Sequence, residues 1–258
     1  MADILVFGAH PDDAEIGAGG TIARHCRLGY EVVICDISGG EMSTNGDPAT
    51  RSAEAREAAR RLGVAARETL GLADRALEPT PERVRVVVEA IRRWRPAVVL
   101  APWPEDRHPD HAAAARLVGQ AVFDAGLVRF QGAGAPHRTG AVVWYFVNAR
   151  REPGFVVDVS DVYSVKKAAL AAYVSQFGGS AANDPATGGS AVAGPAAAGA
   201  SAAAGQSHRP TPLNQGYLQW VELRDSWYGS LAGVARAEGF VRDGVLAVDD
   251  LVRALKSG

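Results

Sequence analysis

Residues Ile4 to Thr21 read ILVFGAHPDDAEIGAGGT. Ile4–Phe7 is a continuous apolar run, the pattern of a strand buried on both faces. It breaks at Gly8 and opens into His10, Asp12 and Asp13 before a glycine-rich stretch with helical spacing. That spacing predicts a helix over Glu15–Leu28, with Ile16, Ile22, Ala23 and Leu28 facing the core and Gly29 ending it. A second apolar strand follows at Glu31–Ile37. Strand, helix and strand within about 35 residues make a βαβ unit, and with it a parallel sheet.

The rest of the chain extends this pattern. Ser38–Ala49 (SGGEMSTNGDPA) is a loop at the C-terminal end of the second strand, the edge where open α/β sheets bind ligands. Helices are predicted over Thr50–Leu62, Pro81–Trp94, Pro109–Ala125 and Ser160–Phe177. Strands are predicted at Glu68–Leu70, Ala97–Ala101, Val142–Val147 and Phe155–Val159. Leu213–Gly229 is helical, and a weak strand and a closing helix follow Val234. Residues 178–208 are almost wholly Ala, Gly and Ser, which offers too little to bury against chain entropy. The expectation is one domain over 1–258 carrying a flexible insertion at 178–208.

Composition narrows the function classes. The apolar fraction is 47% and the charged fraction 22%, ordinary for a globular protein. A net charge of -2 gives no electrostatic case for nucleic acid or an anionic membrane. The start MADILVFGAH lacks the basic segment of a signal peptide, and no apolar run spans a bilayer. Cys26 and Cys35 show no metal-site spacing, so a cytoplasmic, reduced protein is expected.

A second polar cluster, His108-Pro109-Asp110-His111, follows the strand Ala97–Ala101. Both clusters lie at C-terminal ends of parallel strands, so one sheet edge can hold His10, Asp13 and His111. Two imidazoles and one carboxylate suit Zn²⁺, and three protein ligands leave a position for water. Such sites also accept Fe²⁺, Mn²⁺ or Co²⁺. Asp12, beside Asp13, is placed to act as general base. His108, three residues before His111, is placed to protonate a leaving group or support an oxyanion. Asp110 is a candidate to orient a ligand histidine. The bland alternatives are helix capping for the carboxylates and a solvent role for His108.

The runs FGAHPDDAEIGAGGTIA and EDRHPDH resemble the metal-dependent N-acetylglucosaminyl deacetylases of the PIG-L/LmbE type. ICDISGGEMSTNG, Ser175–Phe177 and TPLNQGY at Thr211–Tyr217 are similar to the bacillithiol-biosynthesis branch. The resemblance implies a Rossmann-like, three-layer α/β sandwich with a mostly parallel sheet. It implies Zn²⁺ on His10, Asp13 and His111, Asp12 as base on the metal water, and His108 as its catalytic partner. Tyr217 matches a tyrosine that helps hold the oxyanion, and Arg51 an arginine that approaches the anionic part of the substrate. Arg107 is a candidate second cation. Glu41 and Asp74 match acidic positions near the sugar hydroxyls, and Asn45 lies in the same loop. The implied substrate is N-acetylglucosaminyl malate; the alternatives are an inositol conjugate or a chito-oligosaccharide. Homo-oligomers, trimeric or hexameric, are implied as well. A dinucleotide-binding module is disfavoured, because Asp12 and Asp13 occupy the turn where a pyrophosphate would sit.

Overall fold

The computed structural model describes residues 1–178 and 208–244. The strands are β1 (Ile4–Gly8), β2 (Val32–Asp36), β3 (Ala66–Thr69), β4 (Val98–Pro102), β5 (Ala141–Tyr145), β6 (Phe155–Asp158) and β7 (Ala237–Arg242). The helices are α1 (Asp13–Arg27), α2 (Pro48–Leu62), α3 (Pro81–Trp94), α4 (Pro109–Ala125), α5 (Tyr163–Leu170), α6 (Val174–Phe177) and α7 (Tyr217–Ala232). The strands form one sheet in the order β3-β2-β1-β4-β5-β7-β6. β1 to β5 pair in parallel, and β7 pairs antiparallel with both β5 and β6.

Alternation along β1 builds two cores. Ile4 and Val6 pack with α1, α2, α5 and α7 on one face; Leu5 and Phe7 pack with α3 and α4 on the other. The result is the expected three-layer α/β sandwich with a mostly parallel sheet. The order reverses between β1 and β4, so the loops after these strands diverge and leave a crevice at their C-terminal ends.

Proline at the first helical position fixes the starts of α3 and α4. In α1 the small residues serve close packing. A Cβ on Gly17 would enter the Tyr145 ring, and one on Gly20 would lie 2.7 Å from Val159 Cβ. Leu28, expected in the core, is 62% exposed, because α1 ends at Arg27 and Leu28 only caps it. The helix expected over Ser160–Phe177 is two helices. Tyr173 breaks it, at φ -84° and ψ 64°, with its hydroxyl held 3.0 Å from Glu15 Oε1. A tertiary hydrogen bond there overrides a helical spacing. The insertion's residues 179–207 and the expected closing helix beyond residue 244 lie outside the described residues. Among the described residues no helix is long and apolar enough to cross a membrane. Both cysteines are free.

Candidate active site

The turn after β1 and the turn after β4 face each other across the crevice. Asp12 ends the first turn as the N-cap of α1 at φ 117° and ψ -26°. This is left-handed backbone for a residue with a side chain, the kind of strain that gathers at functional sites. The geometry turns Asp12 and Asp13 together into the crevice. His108 is the N-cap of α4, and its Nδ1 accepts the Asp110 N–H at 3.2 Å. That acceptance leaves Nε2 as the protonated nitrogen of a neutral ring.

The three histidines form one group. Ring centroids lie 5.0 Å apart for His10 and His108, 5.8 Å for His10 and His111, and 4.7 Å for His108 and His111. Two sets of donor atoms converge to within 4.8 Å: His10, His108 and His111, and His10, Asp74 and Asp110. Asp13 is in neither set but bridges the two imidazoles. Its Oδ2 lies 3.6 Å from His10 Nδ1 and its Oδ1 3.1 Å from His111 Nε2. Asp106 Oδ1 sits 3.1 Å from the far nitrogen of His111. His10 Nε2 lies 3.0 Å from Asp74 and 3.2 Å from Asp110. Each histidine flanking Asp13 is therefore held by carboxylates on its outer nitrogen, which orients the inner nitrogen toward the shared point.

Electrostatics follow from this crowding. Burial lowers the His111 pKa, but Asp13 and Asp106 outweigh it and push it up to about 9. His10 is raised in the same way, against burial, by Asp110, Asp13 and Asp74. Burial would raise Asp13, yet His111 and His10 hold it well below the carboxylate range. Asp12 behaves differently. Burial pushes its carboxyl up to about 7, with Arg51 opposing and Asp13 reinforcing. His108 is lowered, first by burial and then by the other two histidines.

A cavity of about 460 Å³ opens onto this group. It brings together most of the residues marked in the sequence: His10, Asp12, Asp13, Arg51, Asp74, Arg107, His108, His111 and Tyr217. Tyr217 opens α7 and is buried, with its hydroxyl 3.0 Å from Asn148 Oδ1 and 3.1 Å from the Val147 carbonyl. Arg51 is only 3% exposed. Its guanidinium binds the Pro11 carbonyl, Ser43 Oγ at 2.8 Å and Asp12 Oδ2 at 3.3 Å, so it braces the first turn as well as lining the cavity. Three marked residues lie outside the lining: Asp110, which sits behind it against His10 Nε2, and Asn45 and Glu41. Asn45 clamps the backbone of Arg209 through its amide, donating to the carbonyl and accepting from the N–H at 2.9 Å each. Glu41 is exposed and accepts the Asp74 N–H at 2.6 Å.

Asp106 and Asn148 were not singled out in the sequence. Asn148 donates to Asp106 Oδ1 at 3.0 Å and lies 3.3 Å from His111 Nδ1. Asp106 also accepts the His108 N–H at 2.8 Å, an Asp two residues upstream closing a local turn. That spacing was a readable signal. For Asn148 the signal was weaker: a polar residue after the apolar run VVWYFV, in the bend that follows β5, the strand beside β4.

The donor set fits a divalent cation. Asp12, Asp13, Asp74, Asp106 and Asp110 crowd around three imidazoles, with Arg51 and Arg75 as the guanidinium partners. Imidazole nitrogens and carboxylate oxygens are the ligands such ions take.

Comparison with known proteins identifies the family. The PIG-L family profile, described as GlcNAc-PI de-N-acetylase, matches residues 5–122. The chain is 35% identical over 189 residues to diacetylchitobiose deacetylase from Thermococcus kodakarensis, covering 67% of this chain and 70% of that protein. It is 28% identical over 236 residues to a 1D-myo-inositol 2-acetamido-2-deoxy-alpha-D-glucopyranoside deacetylase from Rhodococcus opacus, covering 67% of this chain and 81% of that one. Among solved structures it is similar to the conserved protein TT1542 from Thermus thermophilus, with TM-score 0.80 and 35% identity over 96% of this chain and 98% of that one. The chain belongs to the PIG-L family of hydrolytic N-acetylglucosamine-type deacetylases.

Proposed function

We propose that the protein removes the N-acetyl group from an N-acetylglucosamine conjugate whose second part is a hydroxylated ring, either another sugar or an inositol. The observation that carries this is the group of three histidines with Asp12 and Asp13 at the floor of one cavity. The names of the relatives support the ring: one acts on diacetylchitobiose, the other on an inositol glycoside. They do not favour the malate conjugate over it.

His10, Asp13 and His111 are the residues that would hold a divalent ion, with zinc the first candidate and Fe²⁺ another. Such an ion supplies Lewis-acid polarisation of the amide and lowers the pKa of water. The chain's own groups do the rest. Asp12, a buried carboxylate beside Asp13 that lines the cavity, is placed to take a proton from attacking water. His108 presents Nε2–H to the developing oxyanion, and the proton that Asp12 takes from water is the one that passes to the departing amine. Tyr217 lines the same cavity and would hydrogen-bond the oxyanion once its hydroxyl leaves Val147 or Asn148. Arg51 keeps the Pro11–Asp12 turn in place. Asp106 and Asn148 orient His111, and Asp74 and Asp110 orient His10.

The malate conjugate is a second reading. Arg75 and Arg107 line the cavity, and guanidinium groups match carboxylates. Acetate release from diacetylchitobiose, N-acetylglucosaminyl inositol and N-acetylglucosaminyl malate separates the two. A kcat/KM for a ring conjugate at least about tenfold above malate is expected. The reverse order would transfer the proposal to malate, and no acetate from any of them would end it.

A further inference from the structure

Next to the cavity runs a line of buried polar side chains that no catalytic step uses. Asn45, Ser175, Gln176 and Asn214 are each at most 9% exposed. The line starts on α2, where Glu54 accepts the Ser175 N–H and hydroxyl at 2.6 Å each. Gln176, beside Ser175, donates to the Asn45 carbonyl at 2.8 Å. The Asn45 side chain then takes both backbone groups of Arg209, at 2.9 Å each. Asn214 ends the line, donating to the same Arg209 carbonyl and accepting the Thr211 N–H, again at 2.9 Å. Gly46 seats the Asn45 loop on α6: at φ 76°, a Cβ there would lie 2.8 Å from Ser175 Oγ.

The segment at the end of this line belongs to the cavity. Thr211, Pro212, Leu213 and Tyr217 line it, as do Met42, Ser43 and Thr44 from the loop that carries Asn45. Asn45 itself does not. Among the described residues, the backbone of 208–216 makes no hydrogen bond to the backbone of the sheet or of α1 to α6. Leu213 packs against the core, but an apolar contact has no direction. The directional hold comes from Asn45. Its amide meets Arg209 as a neighbouring strand would, with one N–H given and one accepted.

We propose that Asn45 is a positioning residue that acts through Arg209. It holds the segment 209–217 in the cavity wall, and with it Tyr217. The hold is independent of the deacetylase reading; its effect on turnover rests on that reading.

Hydrogen exchange of the full-length protein, followed by mass spectrometry, reads the hold directly. In Asn45→Ala, exchange across 209–217 should quicken about tenfold or more, as expected for two lost hydrogen bonds, while β1 and β4 keep their rates. Asn214→Ala strikes the same carbonyl from the other side and should quicken the same stretch. In turnover of diacetylchitobiose, Asn45→Ala should lower kcat/KM about 10–100-fold with metal content unchanged. The loss in kcat should shrink in a Tyr217→Phe background, where the group being placed is gone. A merely structural residue would quicken exchange everywhere and cost the same kcat in both backgrounds. Unchanged exchange at 209–217, faster exchange with kcat/KM intact, or an equal loss in both backgrounds would overturn the proposal. Local quickening in a protein that releases no acetate would uphold the hold while removing the deacetylase reading.

Discussion

Two of the regions that bury charge among the described residues do it in opposite ways. Behind the sheet, Lys166, Asp225 and Glu238 are fully buried and Arg224 nearly so. Lys166 Nζ binds Asp225 at 2.7 Å, Glu238 at 2.6 Å and the Ile16 carbonyl at 3.0 Å. Arg224 holds Asp225 and the Phe146, Val147 and Ile16 carbonyls, while Glu238 caps the Gly20 and Thr21 N–H groups. Two cations meet two anions, and each charge is hydrogen-bonded. At the crevice, carboxylates outnumber guanidinium groups, three imidazoles stand among them, and the cluster opens on a cavity. A balanced, closed cluster joins α1, α5, α7 and β7. The acid-rich, open one has room for a cation and a substrate.

The predictions test that contrast. Asp12→Asn strikes the open cluster and should lower kcat by about 10²–10⁴-fold while bound metal, read by elemental analysis, stays. Loss of the metal with Asp12→Asn would make Asp12 a ligand and redraw the site. Lys166→Met strikes the closed cluster. It leaves Glu238 buried without its cation and Asp225 with Arg224 alone, so urea denaturation should show a loss of about 3–5 kcal/mol. Metal content should be unchanged; a change would show that the two clusters are not separate.

Asp106→Asn tests the outer ring of the open cluster. It weakens the hold on the far nitrogen of His111, and metal affinity or kcat should drop about 10–100-fold. No change would reduce Asp106 to a turn residue. The smallest effect is one of pH. Burial pushes the Asp225 carboxyl up, but Lys166 and Arg224 outweigh it and leave it below its usual range. A folded pKa below the unfolded value gives stability that is complete above the unfolded value, about 3.9, and is lost as pH falls through the folded one. The stability gap between the native protein and Asp225→Asn should therefore shrink in urea melts taken below about pH 4. A gap constant with pH would mean that Asp225 holds its place by packing.

The open cluster was readable in the sequence and the closed one was not. His10, Asp12, Asp13, His108 and His111 stand in two short runs at strand ends, so local spacing and the rule for parallel sheets were enough to bring them together. The helix starts at Pro81 and Pro109 were readable for the same local reason. Lys166, Arg224, Asp225 and Glu238 come from three distant elements, and each alone looks like a solvated charge. The antiparallel insertion of β7 between β5 and β6 depends on long-range pairing that no local pattern carries. Arg51 shows the middle ground. Its position at the start of the helix that follows the Ser38–Ala49 loop was legible, but its burial against Pro11 and Asp12 arises only when the chain folds.

The central claim is that the crevice binds a divalent ion and cleaves an amide with it. The direct measurement is acetate release from diacetylchitobiose by protein stripped with a chelator, before and after zinc or another divalent ion is restored. Release that stops on stripping and returns with the ion is the predicted result. An undiminished rate in protein shown by elemental analysis to be metal-free would contradict the account.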